Sequence, residues 1–369
     1  MNTRLSTWLL AASLMLPAAA SLAVENITLN GFLTVGATKS NSTTASENGN
    51  ITDDVGFDED SRVGIQISAD INDRMSVTAQ LLGRADRNQN FDAEFDWGFV
   101  SYALGEDLTV RGGKLKFPTF LVSEYIEVGY AYPWIRPPAE VYASNPITAI
   151  TGLDLLLRTR LGPVDLLVQP YAGTSSGDEA LVPQEVLPLL GVAPGTVRYA
   201  EFDAENMLGI NLALTTDWLT LRGGYLRTEV SAPSLGVTSE DDVSFTSIGA
   251  SIDWHDAILY TEAFRRDIDG QANAFFPNQK GWYATAGYRI ARFLPHLTWA
   301  QLRDDNDSGD PGTGLEQDSL TLGLRVELGS GAALKLEAQR VEPHDGSRGL
   351  FMAAEDDINV FSLAVDVIF

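Results

Sequence analysis

The sequence predicts an all-β fold: one transmembrane antiparallel β-barrel of about 16 strands, with a long third loop folded into the lumen. Three observations predict it. Apolar and polar residues alternate with a period of two, short turns alternate with long polar connections, and the chain ends on an alternating segment with a terminal aromatic.

The alternation is clearest where Leu320, Leu322, Leu324, Val326 and Leu328 are interleaved with Thr321, Gly323, Arg325 and Glu327. It recurs in Val63, Ile65 and Ile67, in Met75, Val77, Ala79 and Leu81, in Leu153, Leu155 and Leu157, and in Phe361, Leu363, Val365, Val367 and Phe369. A half-buried strand of a soluble sheet looks the same in isolation. The connections decide between the two. Turns at 71–73, 105–107, 162–163, 216–217, 255–256 and 329–331 are short, whereas the intervening connections are long and polar, as in outer-membrane barrels with short periplasmic turns and longer external loops. Between them lie predicted strands at 27–39, 58–70, 74–85, 93–104, 108–116, 151–161, 164–173, 205–216, 218–229, 243–254, 257–267, 281–291, 293–303, 318–328, 332–342 and 358–369.

Two predicted strands contain a glycine pair across which the polar parity shifts. Arg111 precedes Gly112-Gly113 and Lys114 and Lys116 follow; Arg222 precedes Gly223-Gly224 and Arg227 follows. A β-bulge at each pair would turn both cationic sets inward. Phe95, Trp97, Tyr102, Trp218, Trp254, Tyr260, Trp282, Tyr283 and Trp299 stand near strand ends, as interfacial aromatic girdles require.

Composition removes several classes of function. The chain has no Cys and three His, so disulfide frameworks, thiolate nucleophiles and Cys-based zinc sites are excluded. His255, His296 and His344 belong to no Ser-His or Asp-His motif, and no catalytic residue, cofactor or metal is expected. The half-match to a calcium loop at Asp304-x-Asn306-x-Ser308-Gly309 has Leu315 where a bidentate Glu is needed. With 25 Lys plus Arg against 50 Asp plus Glu, the formal charge of −25 has the wrong sign for nucleic acid. Residues 1–23 read as a cleaved signal peptide, with Arg4, an apolar run from Trp8 to Ala20 and the small-x-small end Ser21-Leu22-Ala23. Residues 24–369 form one barrel domain, because no later segment is apolar for long enough to span a bilayer as a helix.

The segment 117–150 has no strand pattern and is rich in aromatic residues and proline, unlike the Ser/Asn/Asp-rich connections elsewhere. It is expected inside the lumen; the alternative is an external loop packed against a neighbouring subunit or folded over the barrel mouth. By strand parity Arg62, Arg84, Arg111, Lys114, Lys116, Arg158 and Arg160 form a basic inner wall, which the segment faces with Glu124, Glu127 and Glu140, partly offset by Arg136. Outward Arg or Lys near the bilayer midplane would cost roughly 2–4 kcal/mol each, which favours the inward assignment. Opposed basic and acidic rims would orient dipolar solutes. The wall favours anions and the net charge favours cations, so no ion preference follows.

The last segment, Asn359 to Phe369, resembles the terminal strand that outer-membrane proteins present to the barrel-assembly machinery, with Phe369 as the assembly signal. The strand Arg111-Gly-Gly-Lys114-Leu-Lys116 leading into 117–150 resembles the porin superfamily, and Val128-Gly-Tyr130-Ala-Tyr132-Pro-Trp134 with Arg136-Pro-Pro-Ala-Glu140-Val-Tyr142 resembles porin-like proteins of marine gammaproteobacteria. The resemblance implies a homotrimeric 16-stranded outer-membrane porin, in contact with lipid and lipopolysaccharide, that lets small hydrophilic solutes and ions diffuse passively. Two alternatives stay open: a channel selective for carboxylates, phosphate or sugars, and a non-conducting structural or adhesive barrel.

Overall fold

The computed structural model describes residues 25–46, 51–85, 91–182, 184, 187–193, 196, 199–235, 237–274, 278–305, 315–344, 346–353 and 355–369. The signal-peptide segment 1–23 and most of the calcium-loop match lie outside the described residues. Sixteen strands form one closed antiparallel barrel, each paired with its sequence neighbours and the first with the last. They are β1 (Glu25–Ser40), β2 (Arg62–Asn72), β3 (Met75–Ala85), β4 (Phe91–Ala103), β5 (Leu108–Lys116), β6 (Ala149–Leu161), β7 (Val164–Leu181) and β8 (Tyr199–Thr215). The second half comprises β9 (Leu219–Ala232), β10 (Val237–Trp254), β11 (Ala257–Ile268), β12 (Gln279–Tyr288), β13 (Phe293–Asp304), β14 (Gln317–Gly329), β15 (Ala332–Pro343) and β16 (Ile358–Ile368). Every predicted strand is present. The β7–β8 hairpin and β10 extend past their predicted loop-side ends, through Ser-, Asp- and Glu-rich sequence of loop character, and β7 and β8 do so over shifts in register.

Closure joins Phe32 to Ile368 through Ser40 to Val360 in continuous register. The terminal residue completes the seam: Gly31 donates to the Phe369 carbonyl at 2.8 Å and Phe369 donates back at 3.0 Å. Gly31 has a steric reason to lack a side chain, since a Cβ there would stand 2.3 Å from the Phe369 ring.

The alternating apolar residues face outward. Leu29, Val35, Ile65, Leu153, Leu212, Leu297, Leu322 and Leu363 are exposed on a wall whose opposite parity is buried or polar. A closed barrel wrapped in exposed aliphatic side chains is matched to hydrocarbon rather than water. At the short-turn rim Tyr102, Trp218, Trp254, Tyr288, Phe293 and Phe369 are exposed, which fits an interfacial girdle. Three expected girdle residues lie inside instead. Tyr283 and Trp97 are buried, and Tyr260 stacks edge-on against the lumen residue Trp134. No helix among the described residues is long and apolar enough to cross a membrane.

Neither glycine pair forms a bulge. Pairing runs unbroken through Gly112-Gly113 with both neighbouring strands. The parity inverts at Gly113 itself, whose φ of 142° is a conformation that side-chain-bearing residues rarely adopt. A Cβ there would also stand 2.4 Å from the Gly98 carbonyl oxygen. Arg111 and Lys116 thereby both turn inward. Pairing through Gly223-Gly224 is likewise unbroken, with no inversion. Arg227 therefore stays on the outer face, exposed and paired with Asp242 at 2.8 Å, and does not join the lumen set.

Candidate functional site in the barrel lumen

The connection from β5 to β6, Phe117 to Thr148, bonds to side chains of strands around nearly the whole circumference of the barrel. Its route follows from what each part can pair with. The first stretch is apolar and crosses to the far wall: Phe120 packs against Phe245 of β10 and Phe264 of β11, while the Leu121 amide donates to Glu262 of β11 at 2.7 Å. The chain then turns through one 3-10 turn at Ser123–Tyr125 and returns, bringing Glu127 to the β2–β5 wall.

Beyond Glu127 the backbone is held by two cations. Lys335 of β15 donates to the carbonyls of Gly129 and Trp134 and pairs with Asp366 of β16 at 2.9 Å; Arg325 of β14 donates to the carbonyls of Tyr130 and Tyr132. These two side chains are direct register partners, an unfavourable like-charge pair that the carbonyls and Asp366 offset. Trp134 is buried, its indole N–H donating to Thr285 of β12 at 2.9 Å and to Thr298 of β13 at 3.1 Å. A short helix, α1 (Ala139–Tyr142), then packs on β11, β12 and β13. Tyr142 and Tyr283 both donate their hydroxyls to Glu262. The segment closes on itself where Asn145 donates to Thr119 at 2.8 Å.

The residues expected in the lumen fall into separate groups. Glu127 joins three of the expected basic residues: its carboxylate lies 3.7 Å from Arg62, 3.4 Å from Arg84 and 4.0 Å from Lys116. Arg62 also donates to the Glu127 carbonyl and to the Tyr132 hydroxyl. Lys116 is paired with Asp96 at 2.9 Å, and Arg84 with Glu94 at 3.0 Å. Lys114, nearby, donates to the Phe95 carbonyl at 3.0 Å. Burial opposes the charge of Glu127, yet Lys116, Arg84 and Arg62 hold its carboxyl below the usual range.

The other expected residues do not meet this group. Arg111 forms a two-point pair with Asp154, the first link of a polar ladder along the wall. Gln169 donates to Asp154 at 2.8 Å, Asn211 to Gln169 at 3.1 Å, and Arg222 to Asn211 at 2.9 Å. Glu124 ends this ladder on Arg222 at 3.2 Å and does not face the basic wall, because the segment is still against β9–β11 at that point. Arg136 is paired with Asp60 and donates to Ser362 at 2.8 Å. Glu140, wholly buried, accepts from Gln317 of β14 at 2.7 Å and faces away from the β2–β6 wall. Arg158 and Arg160 have inward parity but stand beside the turn at 162–163, and Arg160 pairs with Asp165 while 73% exposed; height along the strand removes both from the segment. Arg222 was expected inward and bonds there to Asn211 and Glu124; Asp154, Glu262, Arg325, Lys335 and Asp366 were not anticipated as site residues, although inward parity marks Arg325 and Lys335 as facing cations.

The segment fills the lumen unevenly. Against β7–β13 it merges with inward Phe202, Leu226, Val243, Phe245, Phe264 and Leu302 into one apolar cluster. Against β2–β7 it leaves a polar cavity of about 1080 Å³, lined by Arg62, Arg84, Lys114, Glu127, Thr151 and Ser175 among others. No cluster among the described residues could hold a metal ion.

Fold and lumen together define a closed 16-stranded antiparallel β-barrel with an apolar exterior. No family model and no curated protein sequence matches the chain. Among solved structures it is similar to an anion-selective porin from Comamonas acidovorans, with TM-score 0.62, 14% identity, and coverage of 93% of this chain and 99% of that one. The OmpF of Salmonella typhi, in complex with daunomycin, gives TM-score 0.60 at 12% identity, covering 93% and 97%. OmpT, an outer membrane protein of Vibrio cholerae, gives 0.57 at 13% identity, covering 93% and 97%. At these identities the likeness is one of fold.

Proposed function

We propose that the chain is an outer-membrane channel through which small hydrophilic solutes and ions diffuse passively, without catalysis or cofactor. The observation that carries this reading is the polar cavity between the inserted segment and the β2–β7 wall, inside a closed barrel with an apolar exterior. A hydrated path with weak, distributed polar contacts suffices for permeation. Arg62, Arg84, Lys114, Lys116 and Glu127 form the constriction; Glu124, Arg136 and Glu140 serve as anchors that keep the segment in place, and Arg111, Arg158 and Arg160 lie off the path. The reading includes cleavage of residues 1–23, use of Phe369 by the assembly machinery, contact with lipid and lipopolysaccharide, and a homotrimer. A trimer form is recorded for the similar Vibrio cholerae OmpT.

The refolded barrel in a planar lipid bilayer is expected to open in uniform steps. A barrel that inserts and seals yet never conducts would overturn the channel reading in favour of a structural barrel, which the apolar cluster against β7–β13 would then explain.

A further inference from the structure

We propose that the passage selects cations, and that Glu127 strengthens this preference by neutralising the basic wall; the proposal rests on the channel reading above. The strand sequence alone presents Arg62, Arg84, Lys114 and Lys116 as an anion-favouring surface. In the folded chain their charge is largely met. Glu127, delivered by the inserted segment, reaches three of them, while Asp96 and Glu94 take second positions on Lys116 and Arg84.

The cavity lining then carries an acidic excess. Asp58, Asp92, Glu94 and Glu127 already outnumber Arg62, Arg84 and Lys114, and Asp178 and Glu179 line the same space. Inside a passage with low-dielectric walls such an excess focuses the field and raises the local concentration of counter-ions. The formal charge of −25 acts in the same direction at the mouth. Small inorganic cations and amine-bearing dipolar solutes are the favoured permeants. Glu127, Glu94 and Asp92 meet around Arg84: Glu127 and Glu94 pair with its guanidinium, and Asp92, its register partner, adds negative charge to the same lining.

Reversal potentials of the refolded full barrel under a tenfold KCl gradient test this. Wild type is expected to pass K+ over Cl− by roughly threefold or more. Glu127→Gln removes the carboxylate shared by Arg62, Arg84 and Lys116 and is expected to lower the ratio towards one, the remaining acidic lining keeping it from inverting. Asp92→Asn combined with Glu94→Gln leaves the inserted segment untouched and is expected to lower the ratio towards one, which keeps the test open should Glu127→Gln fail to fold. A wild-type channel that prefers Cl−, or an unchanged ratio in the folded variants, overturns the proposal while leaving the channel reading intact. Absence of conductance overturns both.

Discussion

At the scale of single residues, Glu127 shows how one side chain can decide the character of a surface. Its lowered folded-state pKa means that the stabilisation it contributes is complete above its ordinary value of 4.5 and is lost as pH falls through the lower folded value. The attachment of the segment to β2, β3 and β5 is therefore expected to hold at pH 5 and to fail only in stronger acid. The thermal transition of the folded barrel, followed from pH 7 to pH 3, should fall less steeply in Glu127→Gln than in wild type at the acid end. Parallel acid limbs in the two proteins would contradict this account. Gly113 shows a second single-residue control: inversion of side-chain parity by φ alone brings Arg111 and Lys116 to the same face without a change of register.

At the scale of elements, the inserted segment is held mainly by groups that the strands alone leave unsatisfied. Lys335 and Arg325 oppose one another on β15 and β14 and are satisfied by backbone carbonyls of Gly129, Tyr130, Tyr132 and Trp134. Trp134 is the apolar counterpart, buried against Tyr260 and Tyr283 with its N–H bonded. Trp134→Ala is expected to destabilise the segment by about 3–5 kcal/mol while leaving the barrel ladder intact. Single-channel recording should then show larger or noisier openings at unchanged barrel circular dichroism; identical conductance would mean that the segment does not bound the path. The strands and their order were legible in the sequence because period-two alternation and turn length are local signals. The segment's partners were not, because which wall a residue meets depends on the route of an irregular chain across the lumen. Parity assigned Arg158 and Arg160 to the inner face but carried no information on height, and Glu124 and Glu140 have no periodicity to read.

At the scale of the whole molecule, the barrel has two apolar regions: an outward aliphatic belt and a lumen half occupied by an apolar cluster. The two make opposite demands on substitution. In the middle of β14, Leu322 is 61% exposed, although its neighbours Thr321 and Gly323 are buried, a pattern that would be unstable in water and is stable against hydrocarbon. Leu322→Arg is accordingly expected to cost about 2–4 kcal/mol in equilibrium unfolding from lipid vesicles, because guanidinium must then sit near the bilayer midplane. In a detergent micelle, where water reaches the belt more readily, the same substitution should cost less. An effect within about 0.5 kcal/mol in vesicles, of the order of ordinary water-exposed surface changes, would show that this face of the barrel does not contact lipid and would point to a neighbouring subunit as its partner.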